Sequence, residues 1–571
     1  MSATRVEIRS GAYYDSVVLM QLQRSLAALP GVLDAGVIMG TDANKELLAQ
    51  IDLCPPEARA AKPDDLVIVI RAADQAAAQA ALAEVDQLLT RRKSSVTQEY
   101  RPQSLEAAVQ MMPEAQWMLV SVPGRYAAGV AREALRLGKN VFLYSDNVSL
   151  DDEVALKKTA AEKGLLVMGP DCGTAIIGGI GLGFANAVRQ GPIGLVGAAG
   201  TGLQQVTSRI HQLGGGMTHA LGTGGRDLSP SVGGVTARQG LDLLSRDPET
   251  RVIVLISKPP APEVAESLLQ VARSSGKPVV VDFIGRSPSA RRVDNLHFAT
   301  SLDEAAELAV QLAEGTTADR RPQTANVAHF APGQKYLRGL FSGGTLAYEA
   351  QLILQNYVPV VYSNAPLHKE HKLVNSLESQ EHTIVDLGED EFTVGRLHPM
   401  MDNDLRIRRL HQEASDPTVA VILLDVVLGH GAHPNPAGEL APAIAQARAE
   451  AEKAGRHLEF VAVVTGTDQD PQNLNVQVQQ LEAAGARVEL SNEVAAHYAG
   501  SLIRSLSPTA DRGLLTAVNL GVLGPLSAIN VGLESFAESL TAQGASVIHV
   551  DWKPAAGGNE KLMAILERMK R

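Results

Sequence analysis

The sequence predicts an α/β fold built from several domains, and two observations carry that reading. First, strands and helices alternate between residue 105 and about residue 190: "WMLVSVP", "YAAGVAREALRLG", "NVFLYS", "LDDEVALKKTAAEKG" and "LLVMGPDCGT". This is the pattern of a parallel, Rossmann-like sheet, whose ligands sit at the C-terminal strand ends. Second, the chain repeats itself. "GLVGAAGTGLQQ", "LGTGGRDLS" and "DPETRVIVLISKPP" return later, in the same order, as "GLFSGGTLAYEA", "DLGEDEFTVGRLHP" and "DPTVAVILLDVVLGHG". A Gly-Thr turn opening a helix, a Gly-bearing strand end followed by Arg, and Asp-Pro before an apolar strand recur together. Three landmarks in order predict a duplicated flavodoxin-like domain.

The expected organisation follows. Residues 1–100 form a small α/β domain, with "RVEIR" and "DLVIVIRA" as strands and helices over "DSVVLMQLQRSLAALPG" and after Asp74. The Rossmann-like domain spans 101–190, the two copies span 191–315 and 335–510, and 316–334 is a linker. A tail, 511–571, reads strand, helix, strand, loop, helix. A length of 571 residues is ample for this at about 150 residues per domain.

Composition narrows the function. A net charge of −12 opposes binding to nucleic acid or an anionic membrane surface, both of which need a basic face. Two cysteines, Cys54 and Cys172, make no disulfide framework and suit a reducing compartment. No apolar run reaches the ~20 residues that span a bilayer, and the N-terminus has no signal-peptide core, so a cytoplasmic protein is expected.

The two Gly-Thr turns are the first candidate site. A helix start offers free N–H groups at the positive end of its dipole, and glycine lets an anion approach the backbone. Gly200, Thr201 and Gly202 in one copy, and Gly343, Gly344 and Thr345 in the other, are read as two halves of one phosphate cradle. A plain strand-to-helix turn is the alternative for either alone. Arg226 and Arg396 stand at equivalent points of the copies and suit bidentate binding of phosphate or carboxylate, or else a salt bridge to Asp227 or Asp402. His430 follows an apolar strand, where an imidazole polarises a carbonyl, moves a proton, or makes a loop hydrogen bond. His398 and Lys258 are weaker candidates of the same kind. His430 and His433 form an HxxH pair without further ligands nearby, so no metal site is assigned. Cys172 reads as a buried turn residue rather than a nucleophile.

These stretches resemble a known superfamily. "GPDCGTAIIGG", "GLVGAAGTGLQQ", "LGTGGRDLS" and "DPETRVIVLISKPP" are similar to the α subunit of succinyl-CoA synthetase, and the second copy resembles the C-terminal domain of its β subunit. There, two helix N-termini hold a phosphate between them. Along the whole chain, "GAYYDSVVLMQLQRSL", "MGTDANKELL", "YSDNVSLDDE", "VGRLHPMMD" and "PAAGGNEKL" resemble the FdrA family. The resemblance implies a Rossmann-like domain followed by two succinyl-CoA-synthetase-type domains, and a CoA-like pocket at Pro123, Ser145, Asn147, Pro170 and Cys172. For some members it implies one component of an oxamate carbamoyltransferase in allantoin breakdown.

Three departures from the synthetase shape the expectation. The chain carries no ATP-grasp region, no Gly-His-Ala-Gly phosphohistidine setting (His297 sits in "NLHFA"), and no glycine-rich CoA turn at its start. An acyl phosphate brought from solution, such as carbamoyl phosphate, fits what remains. The expected function is therefore carbamoyl transfer to or from oxamate, with His430, Arg226 and Arg396 as catalytic groups, within a hetero-oligomer. The alternatives are an ADP-forming acyl-CoA synthetase subunit using CoA and a partner ATP-grasp chain, and a non-catalytic scaffold.

Overall fold

The computed structural model describes residues 3–10, 16–27, 29–41, 44–45, 48–49, 53–63, 65–90, 102–286, 290–314, 330–393, 397–506, 527–531, 541 and 546–550. The chain divides into two compact units, Met1–Ser507 and Pro508–Arg571.

The first unit opens with three antiparallel strands, β1 (Ala3–Arg9), β2 (Val32–Met39) and β3 (Leu66–Ala72), in the order β1-β3-β2. The central strand is an unbroken apolar run because both its faces are covered. Helices Ser16–Ala27 and Gln75–Ala83 pack Leu22, Leu26 and Ala78 onto one face, and Leu48, Leu53 and Ala58 cover the other. Asp74 caps the second helix, its carboxylate accepting from Ala77 N–H. The sequence reading passed over β2, whose run is interrupted by Asp34 and Gly36.

A three-stranded parallel sheet follows: β4 (Trp117–Val120), β5 (Asn140–Leu143) and β6 (Val167–Met168). Its crossover helices are Gly124–Arg136 and Leu150–Glu162.

The duplication is visible in the topology. The first copy contains β7 (Thr174–Ile177), β8 (Ile180–Gly183), β9 (Gln190–Ala198), β10 (Met217–Gly222), β11 (Val252–Ser257), β12 (Val279–Phe283), β13 (Arg292–Val293) and β14 (Leu296–Phe298), in the order β13-β14-β12-β11-β9-β10-β7-β8. The second contains β15 (Tyr336–Phe341), β16 (Tyr362–Ser363), β17 (Thr383–Asp386), β18 (Val419–Val427), β19 (Glu459–Thr465) and β20 (Arg487–Glu489), in the order β16-β17-β15-β18-β19-β20. Without the edge additions, β10-β9-β11-β12-β14 and β17-β15-β18-β19-β20 follow one scheme. Both run 2-1-3-4-5 and are parallel throughout, the flavodoxin-like order. Every residue of β11 and β18 is buried, as expected of parallel strands covered on both faces. The hairpin β7–β8, which falls within the 101–190 stretch, pairs antiparallel with β10 and so covers the edge of the first copy's sheet.

Four helices lie between the copies: α1 (Gly200–Gln212), α2 (Leu302–Glu314), α3 (Gly344–Leu354) and α4 (Asn492–Leu506). One hydrophobic core runs through them. It joins Leu203 and Val206 of α1 to Leu346 and Ala350 of α3, and Val254 of the first sheet to Leu423 of the second. Gln205 and Glu349, each one turn past the Thr of its Gly-Thr start, reach across to the opposite copy. Gln205 donates to Leu490 O (3.0 Å) of the second copy, and Glu349 accepts from Leu302 N–H (3.0 Å) of the first, while Asn492 Nδ2 of its own copy also donates to it (2.8 Å).

In the second unit, β21 (Ser527–Val531) and β22 (Ser546–Val550) form a parallel pair. The expected helices of the tail lie outside the described residues. No described helix is long and apolar enough to cross a membrane.

Candidate functional site

The two Gly-Thr turns meet. Gly202 in the first turn of α1 approaches Thr345 so closely that a Cβ on it would lie 2.9 Å from Thr345 Cγ2. Reciprocally, a Cβ on Gly343 would run into Thr201, 2.6 Å from its Oγ1. Only glycine lets the two helix starts interlock this way. Thr201 and Thr345 are both buried there. Neither helix has a side-chain cap at Ala199 or Gly343, so the first-turn N–H groups lack the usual acceptor.

Strand ends from both copies surround the junction. Lys258 follows β11, and its Nζ is 3.4 Å from where a Gly344 Cβ would stand. Among the described residues its ammonium has no hydrogen bond or ion pair; the Tyr348 ring, 5.8 Å away, is its one aromatic neighbour. Asp386 ends β17 and is buried against Gly344. Its Oδ1 accepts from Gly388 N–H (2.9 Å), while its Oδ2 points at Gly344. Burial pushes this carboxyl up to about 7 against the pull of Lys258. Asp425, in β18, holds the second turn: its Oδ1 accepts from Ser342 N–H (2.7 Å), Ser342 Oγ (2.9 Å) and the buried Arg406 (2.7 Å).

His398 lies beside them, its ring 5.2 Å from that of Phe184. Its Nδ1 accepts from Met400 N–H (3.2 Å), which leaves the proton on Nε2. Burial and then Arg406 lower its pKa to about 4, so at neutral pH it is an uncharged N–H donor. Its Nε2, Asp386 Oδ1 and the Ser342 carbonyl all lie within 3.2 Å of where a Cβ on Gly388 would stand.

The remaining candidates lie elsewhere or are already engaged. Arg226 pairs with Glu153 (2.9 Å) and donates to Val148 O (2.8 Å); Asp227 instead takes Lys157 (2.8 Å). Arg396 lies outside the described residues. His430 is exposed, and its main chain bridges Ala185. His433 pairs with Glu439 (3.3 Å), and no described group of three His, Cys, Asp or Glu could hold a metal ion. Gly200 is roomy, with the nearest atom 3.9 Å from a would-be Cβ. His297 is an interior residue of β14, at the flank of its sheet.

At the CoA-like pocket, Pro123 starts its helix without a side-chain cap bond, and Asn147 is exposed in a left-handed conformation (φ 52). The Ser145 hydroxyl already donates to Val122 O (2.6 Å), and Pro170 and Cys172 are packed against Gly224 and Gly222. Burial pushes the Cys172 thiol up to about 12, far from a thiolate nucleophile. Asp171 is reachable by solvent but ringed by carboxylates. Loss of bulk water, then Asp146, Asp390 and Glu389, raise it to about 7. Arg226 acts in the opposite sense on the same carboxyl.

Comparison with known proteins places this geometry in a family. YahF of Escherichia coli K12, an uncharacterized protein of FdrA type, is 44% identical over 491 residues, which is 85% of this chain and 95% of YahF. The chain belongs to the FdrA family. Within this FdrA-family chain, residues 1–104 match the AllF heavy metal-associated domain, 188–285 a CoA-binding domain, and 340–502 a CoA-ligase domain. The last two cover most of the two copies, and the chain is of CoA-ligase type. Weaker relatives include the α subunit of ADP-forming succinate–CoA ligase from Aquifex aeolicus (26% identical, 31% of this chain, 58% of that one). Another is the α subunit of malate–CoA ligase from Methylorubrum extorquens (27%, 32% and 64%). Among solved structures, PH0766 from Pyrococcus horikoshii covers 72% of this chain and 88% of its own, at 12% identity and a TM-score of 0.32.

Sequence reasoning missed Asp386, Asp425 and Arg406. A signal existed: each acid is the one charged residue in an apolar strand, "HTIVDLG" and "VAVILLDVV".

Proposed function

We propose that this chain handles an acyl phosphate, with the phosphate at the junction of α1 and α3, and that the acyl group is carbamoyl, transferred to or from oxamate. The interlock of Gly343 with Thr201 and Gly202 with Thr345 carries the reading, because it brings two uncapped helix starts together beside a lysine that has no hydrogen bond or ion pair among the described residues. Two dipoles, a lysine and two threonine hydroxyls suit a phosphate dianion.

His398 supports transfer without a phosphoenzyme. Its Nε2–H can donate to a carbonyl oxygen, while its Nδ1 lone pair is already used by Met400 N–H. Transfer would form a C–N bond to the amide nitrogen and break the C–O bond to phosphate. The amide proton leaves with the phosphate. Catalysis would rest on alignment and on polarising the carbonyl.

The second reading is the acid–thiol ligase of the relatives, using CoA and an ATP-grasp partner chain. Its support is the pair of CoA-binding and CoA-ligase matches. Calorimetric titration of the full chain with carbamoyl phosphate, acetyl phosphate and CoA separates the readings. Saturable heat with carbamoyl phosphate, lost in Gly344→Val, is expected. Binding of CoA alone would replace this reading with the ligase.

A further inference from the structure

Asp386 sits where an anion's carboxylate rival would sit. It is buried, its Oδ2 has no partner among the described residues, and that oxygen points at the first residue of α3. A site that attracts phosphate through a helix start would, with Asp386 ionised, hold a negative charge of its own at the same place. Lys258 is the compensating cation, yet no ion pair closes between them. Two like charges in a buried site cannot both stay ionised without a large penalty.

We infer that Asp386 makes anion binding at the twin turns proton-coupled: the site takes a doubly charged phosphate group together with one proton held on Asp386. The inference rests on the phosphate reading of the junction. Among the described residues, the charged groups facing Asp386 fit this role. Glu389, in its own turn, and Asp425, from β18, favour the protonated form. Asp425 already shares Arg406, so that guanidinium is not available to neutralise Asp386. His398 is uncharged and supplies no counter-charge. Among the described residues, Lys258 and the Gly388 N–H bonded to Oδ1 oppose protonation, and an arriving dianion would draw Lys258 to itself. In a transfer reaction, the proton on Asp386 lies where the departing phosphate oxygen needs one.

Sulfate is the probe, because it stays a dianion over this range and any pH dependence belongs to the protein. Titration of the full chain in two buffers of different ionisation enthalpy should show about one proton taken up per sulfate at pH 8 and none at pH 5.5. Sulfate affinity should fall about tenfold per pH unit above pH 7. Asp386→Asn should flatten that profile and bind at pH 8 as the unmodified chain does at pH 6. Lys258→Met should weaken binding at every pH and keep the slope. A flat profile in the unmodified chain, with binding still lost in Gly343→Ala, would overturn the role of Asp386 and leave the twin-turn site standing. Absence of sulfate binding at any pH, or binding indifferent to Gly343→Ala, would overturn both.

Discussion

At the scale of single residues, the two glycines of the second turn do different work from Gly200 in the first. Gly343 has an extended backbone (φ −128) that any residue adopts, so its identity is set by Thr201 alone. Gly343→Ala should therefore push α1 and α3 apart, costing about 1–3 kcal/mol as overpacking does, and weaken anion binding at least tenfold. Gly200→Ala should change neither, since its Cβ would meet nothing closer than Thr174 Oγ1 at 3.9 Å. Chemical denaturation and sulfate titration of the two variants check this; equal effects would mean that the interlock is not what sets the site. The sequence shows two equivalent Gly-Thr motifs, and by itself implies equal sensitivity. The equivalent of Gly200 is Gly344, whose Cβ would run into Asp386 Oδ2, and Gly343 corresponds to Ala199, so the surroundings of the two motifs break that equal sensitivity.

At the scale of elements, the four-helix layer between the copies is held partly by carboxylic acids. Burial pushes Glu349 up to about 8, Asp282 to about 7 and Asp303 to about 6. The folded state thus keeps protons that the unfolded chain, with carboxyls near 4, gives up. Stability should be full near pH 4 on this account and fall as pH rises through 6 to 8, by up to about 1.4 kcal/mol per pH unit for each extra proton held. His398 and His382, both lowered to about 4, act in the opposite sense and remove stability as pH falls below about 6.5. Three carboxyls outweigh two histidines from about pH 4.5 upward, so thermal unfolding should show stability declining from there to pH 8, and Glu349→Gln should raise the midpoint at pH 8.5 while leaving it nearly unchanged at pH 5. A variant less stable at both would assign Glu349 an ordinary hydrogen-bonding role. Element order was readable in the sequence because parallel strands covered on both faces give long apolar runs, as in "RVIVLIS" and "VAVILLDVV". Side-chain partners were not. Arg226 finds Glu153 rather than Asp227, because Asp227 is buried beside Lys157 of a different domain. Such pairings depend on how helices from distant segments pack.

At the scale of the whole molecule, duplication within one chain has a mechanical consequence. Each copy covers one face of its sheet with its own outer helices, in separate cores around Leu241 and Leu268 for the first and Leu440 and Ile444 for the second. The other face of each sheet meets the same layer, α1 to α4, and the same core. Neither copy alone would have a finished surface there, since the sides of α1 and α3 that pack on each other would face water. The two copies should consequently open as one cooperative unit, and the proposed anion site between them would exist only while both are folded. Leu346→Ala, at a fully buried position on α3, should cost about 2–5 kcal/mol. Hydrogen-exchange mass spectrometry reads the outcome strand by strand. Peptides from β9 and β11 should lose protection by the same free energy as those from β15 and β18, although the substitution lies in the second copy. Loss confined to the second copy would mean two domains that merely touch, and a phosphate cradle assembled by docking rather than built into one core.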